Sequence, residues 1–382
     1  MASRRIAVVT TGHRWGDPRI FERGVATCLD WGLQVHVFVP MEALPARAGW
    51  SENPNLVIHA LPAPGDRLGR VWLAWSLVRR ILGQGPFALV HFHDPELVPP
   101  MALLGLLSPA TYTLYDIHED LPLQVASKHY LPGWARQPLN RLTTWMLRVA
   151  AGVFHGFAPA TEAISQNWPQ AETRIVHNYP KAMFGHAGQQ GLALDPGRVI
   201  YVGGLAAGRG ILLVLEAVRQ VRRDLPKVRL ELVGAVMEPE VGLAIAAAVA
   251  EGWCQHIPWL DPGELSRHAA GAGVGLVTLL PQPNYLESLP TKLFEYMAMG
   301  IPVLASDFPL WRELVVDSGA GRVVAPTLGG ITQGIRSMLA DPAALARHSA
   351  AGRGAYQQRY RWEAESRNLR WHLQQAGLEL TV

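Results

Sequence analysis

Residues Asn284-Tyr-Leu-Glu-Ser-Leu-Pro-Thr-Lys-Leu-Phe-Glu-Tyr-Met-Ala-Met-Gly-Ile-Pro-Val-Leu-Ala305 read as a polar loop, a short helix and a buried strand. Pro290 suits the first helical position, where a missing N–H costs nothing. Gly300 stands where a helix needs a left-handed residue before Ile301 and Pro302 lead into a strand. The expected helix covers roughly 290–299. Its first turn leaves the N–H groups of Thr291, Lys292 and Leu293 without intrahelical partners, and with the positive end of the dipole these donors make an anion site. Lys292 adds a full charge. Glu295 lies about 7 Å along the axis from Pro290, at about 1.5 Å per residue. That is the offset between a diphosphate and the ribose hydroxyls of a nucleotide, both of which a carboxylate can accept. Glu287 stands in the loop on the other side of the anion site, where the sugar end of a nucleotide-diphosphate sugar projects.

Glu287 and Glu295, followed by Tyr-Met-Ala-x-Gly-x-Pro-Val, resemble the Glu-x7-Glu signature of family-4 retaining glycosyltransferases of the GT-B fold. The resemblance implies two doubly wound α/β domains of Rossmann type facing a cleft, with a final helix returning to the first. It also implies donor contacts from Ser288, Leu289, Pro290, Thr291 and Leu293 beside the two glutamates.

The length agrees with two domains. A chain of 382 residues is long for one core and suits two of about 180. The divisions expected are 1–185, 186–355 and a crossover helix in 356–382. Hydrophobic content of 49% with 17% charged residues is that of a globular chain, not a disordered one. Before residue 186 there are 16 Lys+Arg against 13 Asp+Glu, and after it 18 against 18, so the whole net charge of +3 belongs to the N-terminal half. This is too little for a nucleic-acid binder and enough for a local basic patch. Cys28 and Cys254 have no zinc spacing and read as reduced core thiols of a cytosolic protein. The apolar run after Met-Ala-Ser-Arg-Arg is only a strand long, so neither a signal peptide nor a membrane span is expected.

Ile6 to Thr10 reads as a first buried strand, and a helix follows from about Pro18 to Trp31 with Gly32 closing it. The loop between carries Gly12, His13, Arg14, Gly16, Asp17 and Arg19 at the strand's carboxyl end, where doubly wound sheets bind ligands. By the resemblance, Gly12, His13, Arg14 and Asp17 line the acceptor side. Strands at Val35–Val39, Leu56–Leu61 and Ala88–Phe92, with helices near 68–83 and 95–107, argue for a parallel sheet. His91-Phe-His-Asp-Pro-Glu ends one strand, and Tyr115-Asp-Ile-His-Glu lies at the end of the next. Lying on separate loops without helical ligand spacing, these histidines are not expected to hold a metal. His91 reads as structural. His118, by resemblance, meets the donor sugar.

The helix expected over 135–150 alternates basic and large apolar residues. Leu142, Trp145, Met146 and Val149 share a face, which fits either a helix lying on an anionic bilayer or a packed one. Strands at Gly152–His155 and Arg174–His177 are expected to complete the sheet before a linker beginning at Asn178.

The second domain opens with Arg198-Val-Ile-Tyr-Val-Gly-Gly-Leu-Ala-Ala-Gly-Arg-Gly-Ile. Gly203 and Gly204 allow close backbone approach, and Arg209 carries a planar fork suited to a diphosphate. The related family has Gly-Arg-Leu-x-x-x-Lys-Gly here. Gly204 replaces its arginine and Arg209 its lysine, which leaves the anion to Arg209 and Lys292. Further helices are expected near 239–251, 263–271, 309–316, 328–350 and, last and amphipathic, 356–375.

The expected activity is sugar transfer from a nucleotide-diphosphate donor to an acceptor hydroxyl with retention, catalysed by His118, Arg209, Lys292 and Glu287. No cofactor is expected, and the lack of Asp-x-Asp agrees with metal-independent transfer. By resemblance to the polysaccharide-building branch, the acceptor is a lipid-linked saccharide at the inner membrane face. A nucleotide-sugar epimerase and a non-catalytic nucleotide-sugar binder are the alternatives.

Overall fold

The computed structural model describes residues 4–13, 15–41, 53–118, 133–166, 172–182, 184 and 193–381. Two units divide the chain, one of Met1–Asn178 with Glu365–Val382, the other of Tyr179–Ala364. The division falls earlier than the expected place near 185. Tyr179 packs edge-on against Phe294 (4.8 Å between centroids) and Tyr360 (5.5 Å), which ties it to the second core.

The first unit holds a parallel sheet of β1 (Arg5–Val9), β2 (Gln34–Pro40), β3 (Leu56–Leu61), β4 (Leu89–Phe92), β5 (Tyr112–Ile117) and β6 (Gly156–Pro159), in the order β3-β2-β1-β4-β5-β6. Central strands are buried on both faces, which is why β1 reads as an apolar run after Arg5 and β4 is apolar but for the buried His91. Asp17 caps the helical segment after β1 by accepting from the amides of Arg19 (2.9 Å) and Ile20 (3.2 Å). That segment is a wide π-type turn over Pro18–Val25 continued by an α-helical Ala26–Asp30. Two expected strands are corrected. The Gly133–Ala151 helix and its exit loop take up residues 152–155, so the strand begins at Gly156, paired with Leu114. Arg174–His177 adds no strand. Its neighbour Thr173 makes one bridge to Phe157 and the chain then runs on through amides bonded to Phe157 and Pro159.

The second unit repeats the plan with β7 (Asp195–Val202), β8 (Arg229–Val233), β9 (Cys254–Ile257), β10 (Ala272–Val277), β11 (Val303–Ser306) and β12 (Gly321–Val324), parallel in the order β12-β11-β10-β7-β8-β9. In each unit the order reverses beside the first strand, between β1 and β4 and between β7 and β10. Crevices at the carboxyl ends of such pairs are where doubly wound sheets take ligands.

Pro342 divides the expected 328–350 stretch into helices Leu328–Leu339 and Pro342–Arg359. The second of these runs through residue 356, and the last helix is Trp362–Gln375. From Glu365 onward it belongs to the first unit, where Glu365 accepts from the His177 amide (2.8 Å) and sits 3.1 Å from its Nδ1. Both cysteines are free and buried, and burial pushes each thiol up to about 12. No helix among the described residues is long and apolar enough to cross a membrane. Residues 185–192 of the expected linker lie outside the described residues.

Candidate functional site

At the carboxyl end of β7 the chain turns through Gly203 with φ +115°, a value only glycine adopts readily. Its Cα hydrogen side faces two cations. A Cβ there would lie 3.5 Å from Lys292 Nζ and 3.8 Å from Arg209 Nη1, and one on Gly204 would lie 3.2 Å from Arg209 Nη1. Arg209 is delivered by a short 3₁₀ turn, Ala207–Arg209, just before the Ile211–Val221 helix. Lys292 comes from the first turn of the Thr291–Met299 helix, whose N-cap is Pro290 and whose C-cap is Gly300 at φ +69°. The helix therefore starts one residue later than expected. The Leu293 amide, expected to be open to an anion, donates to Pro290 O at 3.0 Å and is withdrawn from that role.

Lys292 is half-exposed along its stem, but its Nζ is enclosed. It sits 3.6 Å from the centroid of the fully buried Tyr201 and has no hydrogen-bond partner among the described residues. Burial, then the charge of Arg209, pushes its amine well below the ordinary 10.5, and Glu295 opposes this. Neither Lys292 nor Arg209 forms an ion pair among the described residues. Two cations kept together without an ion pair of their own form a ready anion site, since each raises the other's energy and the charge of Glu295 offsets this only in part. Glu295 stands one turn along, half-exposed.

Glu287 is exposed at the end of the short Pro283–Leu286 helix, and no hydrogen bond or ion pair joins it to the cations among the described residues. Trp311 holds its loop by donating from Nε1 to Ser288 O (2.8 Å), while Ser288 Oγ donates to Tyr285 O (3.0 Å). Leu289 packs against the core of the unit.

The first unit builds a second polar cluster, at the carboxyl ends of β1, β4 and β5. Asp94 accepts from Thr10 Oγ1 (2.6 Å) and from the amides of Thr11 (2.7 Å) and Gly12 (3.2 Å), so it shapes the β1 loop. Gly12 leaves no room for a side chain, because a Cβ would overlap the Arg70 guanidinium and the Asp94 carboxylate. His13 Nδ1 lies 3.0 Å from Asp17, and its ring is 5.1 Å from that of His118. Burial acts to raise the Asp17 carboxyl, but the His13 bond and charge, then the His118 charge, hold it far below the usual carboxylate range. Arg14 lies outside the described residues, as does the chain directly after His118.

Beneath these, Arg19 grips Asp116 from Nε (3.1 Å) and Nη2 (2.5 Å), both residues being buried. His93 Nδ1 is 3.0 Å from His118 Nε2, so one of these nitrogens carries a proton and the other accepts it. Burial and the neighbouring His91 push His93 down to about 3, which keeps its imidazole neutral. Burial would raise Asp116, yet Arg19, His118 and His91 hold it well below 3.8.

The histidines that read as lying on separate loops are brought together. Parallel pairing of β4 with β5 brings ligand-type atoms of His91, His93 and Asp116 within 4.8 Å of one another. Asp116 is already neutralised by the Arg19 fork, however, and a divalent ion there would meet that guanidinium, so the donor set fits an ion-pair network better than a metal.

The described geometry thus joins Gly203, Gly204, Arg209 and Lys292 in the second unit, and Gly12, His13, Asp17 and His118 in the first. Tyr201, Asp94, Asp116 and His93 are additions that the sequence reading did not assign. Their one signal was a polar or aromatic residue at the end of an otherwise aliphatic strand.

Comparison with known proteins bears on the same elements. Residues 186–369 match the family model described as glycosyl transferases group 1. The chain is 23% identical over 286 residues to a glycogen synthase of Mycobacterium tuberculosis, covering 72% of this chain but only 66% of that protein, so it spans just under two thirds of that relative. Sucrose-phosphate synthase from Thermosynechococcus elongatus superposes with a TM-score of 0.74 at 17% identity, covering 97% of this chain and 98% of that one. Anabaena Alr3699/HepE in complex with UDP gives 0.67 at 16% identity, covering 98% and 100%. Residues 186–369 thus match the glycosyl transferases group 1 model, and the chain shares a GT-B-like fold with these solved structures.

Proposed function

We propose that this protein is a retaining glycosyltransferase of the family-4 type that uses a nucleotide-diphosphate sugar. The observation that carries the reading is the pair Lys292 and Arg209, converging over Gly203 without an ion-paired counter-charge among the described residues. A diphosphate supplies that counter-charge. As the bond from the anomeric carbon to the diphosphate oxygen breaks, its electron pair stays on the diphosphate, and the two fixed cations meet the growing charge without reorganising. This supplies what a divalent ion provides elsewhere, so we read the transfer as metal-independent. The acceptor hydroxyl forms the new bond at the same carbon, and its proton passes to the departing diphosphate.

Glu295 takes the ribose hydroxyls in this reading, and Glu287 stands beside the sugar. By the resemblance we assign Gly12, His13, Arg14 and Asp17 to acceptor binding and His118 to the donor sugar. The similar HepE structure is a complex with UDP, and we take uracil as the base. We assign the acceptor to a lipid-linked saccharide of surface-polysaccharide assembly, at the cytoplasmic face of a membrane. Support for this is the resemblance of the β1 loop and of Tyr-Asp-Ile-His.

Incubating the purified chain with radiolabelled nucleotide-diphosphate sugars, with and without a polyprenyl-linked saccharide, tests the reading. Label transferred to lipid supports it. Isomerised donor without acceptor means an epimerase, and bound donor without turnover means a binding protein.

A further inference from the structure

The helix Arg67–Gly83 is apolar on two faces. Its inner face, with Leu73, Ala74, Leu77, Val78 and Ile81, is buried in the core of the first unit. The outer stripe of Leu68, Val71, Trp72 and Trp75 recurs at helical spacing, and Trp72 is 77% exposed. The helix Val98–Leu107 packs beside it and leaves Leu103, Leu106 and Leu107 exposed. Gly133–Ala151 lies beside that one and turns Leu142, Trp145 and Val149 outward, with Leu147 inward. The stripe expected on this last helix therefore faces solvent, not the core; the side chain of Met146 lies outside the described residues.

Three adjacent helices of one unit thus expose leucines and tryptophans together. A single exposed leucine would mean nothing, but a surface continued over three helices calls for an occupant. Charge says which. None of the three helices carries an aspartate or glutamate, whereas they carry Arg67, Arg70, Arg79, Arg80, Arg136, Arg141 and Arg148. Apolar stripes with tryptophan and only positive charge match the interface of an anionic bilayer, where leucines enter the acyl boundary, indoles sit at the headgroups and arginines pair with phosphates. An unrelated protein surface gives no reason for arginine alone.

The same helix reaches the loop after β1. Arg70, between Leu68 and Val71, donates to Glu96 Oε1 from Nε at 2.6 Å and lies 3.6 Å from Asp94 Oδ1, the carboxylate that holds the amides of Thr11 and Gly12. We propose that the outer faces of the 67–83, 98–107 and 133–151 helices form one docking surface for anionic lipid, which sets the loop after β1 at the plane of the bilayer. This deepens the reading of a lipid-linked acceptor and rests on it only for the purpose of docking, not for the docking itself.

The test is sedimentation of the full chain with phosphatidylglycerol/phosphatidylcholine vesicles and with phosphatidylcholine alone, at low and high salt. Binding is expected to the anionic vesicles, to weaken with salt, and to fall at least about tenfold in Trp72→Glu/Leu106→Glu and in Arg141→Glu/Arg148→Glu. Nucleoside diphosphate affinity, read by calorimetry, stays unchanged in both variants, which separates failed docking from a failed donor site. Equal binding to neutral vesicles, binding indifferent to both variants, or a dimer of the free chain that Trp72→Glu/Leu106→Glu dissociates would overturn the proposal.

Discussion

Replacing Lys292 by methionine keeps a stem of similar length over Tyr201 and removes the charge. In the free protein that amine is enclosed, 3.6 Å from the Tyr201 centroid, and held well below 10.5 by burial and by Arg209. A diphosphate arriving beside it favours the charged form, so binding takes up protons, up to about one per site, between the free and bound values. Affinity for the nucleoside diphosphate therefore falls as pH rises through that window. The window opens at the lowered value of the free protein. Measurements above about pH 7 keep the terminal phosphate fully ionised. Loss of one charge-assisted bond is worth about 1.5–3 kcal/mol, or roughly ten- to 150-fold in affinity. Loss of a preorganised donor to the departing diphosphate adds to this in the transition state, so turnover of Lys292→Met should fall by about 10²–10³. Stability should hold or rise, because the variant no longer encloses an unpartnered amine. Calorimetry in buffers of different ionisation enthalpy counts the protons, and steady-state rates at saturating donor give the turnover. Proton uptake equal in Lys292→Met and wild type, or turnover within tenfold of wild type, would refute the reasoning and move the diphosphate elsewhere.

The two glutamates should fail differently. Glu295→Ala removes a contact shared by ground and transition states and raises the Michaelis constant for donor, while Glu287→Gln lowers turnover and leaves nucleoside diphosphate binding nearly unchanged. Weakened binding in the Glu287 variant alone would exchange their roles. Asp116→Asn leaves the buried Arg19 guanidinium without its counter-charge and should cost about 3–5 kcal/mol in urea unfolding; a loss under about 1 kcal/mol would mean that the pair is solvated. The His177–Glu365 pair ties the last helix to the first unit. Burial acts to lower His177, but Glu365 and Glu162 raise it above 6.5, so its contribution is complete below that pH and is lost as pH rises through the raised value. Burial acts to raise Glu365, but His177 lowers it below 4.5, so that carboxylate's contribution is complete above 4.5 and is lost on acidification. Glu365→Gln should flatten the decline of stability above about pH 6.5, followed by urea midpoints from pH 5 to 8; an unchanged pH profile would show that the pair does not form.

Much of this protein was legible from local signals. Parallel strands buried on both faces must be apolar runs, and glycines at 203 and 300 mark backbone that other residues adopt only with strain, so the doubly wound plan and the Thr291–Met299 helix could be read directly. Lys292 was also legible, because an anion site at a helix start follows from geometry within one turn, and Arg209 was marked by the glycine-rich turn that sets it beside Gly203 and Gly204; the roles of the two glutamates rest on the experiments above. Three features were settled only by the tertiary structure. Leu293 turned its amide to Pro290, a choice between a 3₁₀ and an open first turn that no spacing decides. His91, His93 and Asp116 converged because neighbouring strands set side chains about 5 Å apart whatever their separation in sequence. The leucine and tryptophan stripes of the 67–83, 98–107 and 133–151 helices face water, whereas an apolar period of 3.6 marks a face without saying whether it meets a core or the outside. Periodicity belongs to the chain; what a face meets depends on which other segments fold against it, and that is a property of the whole molecule.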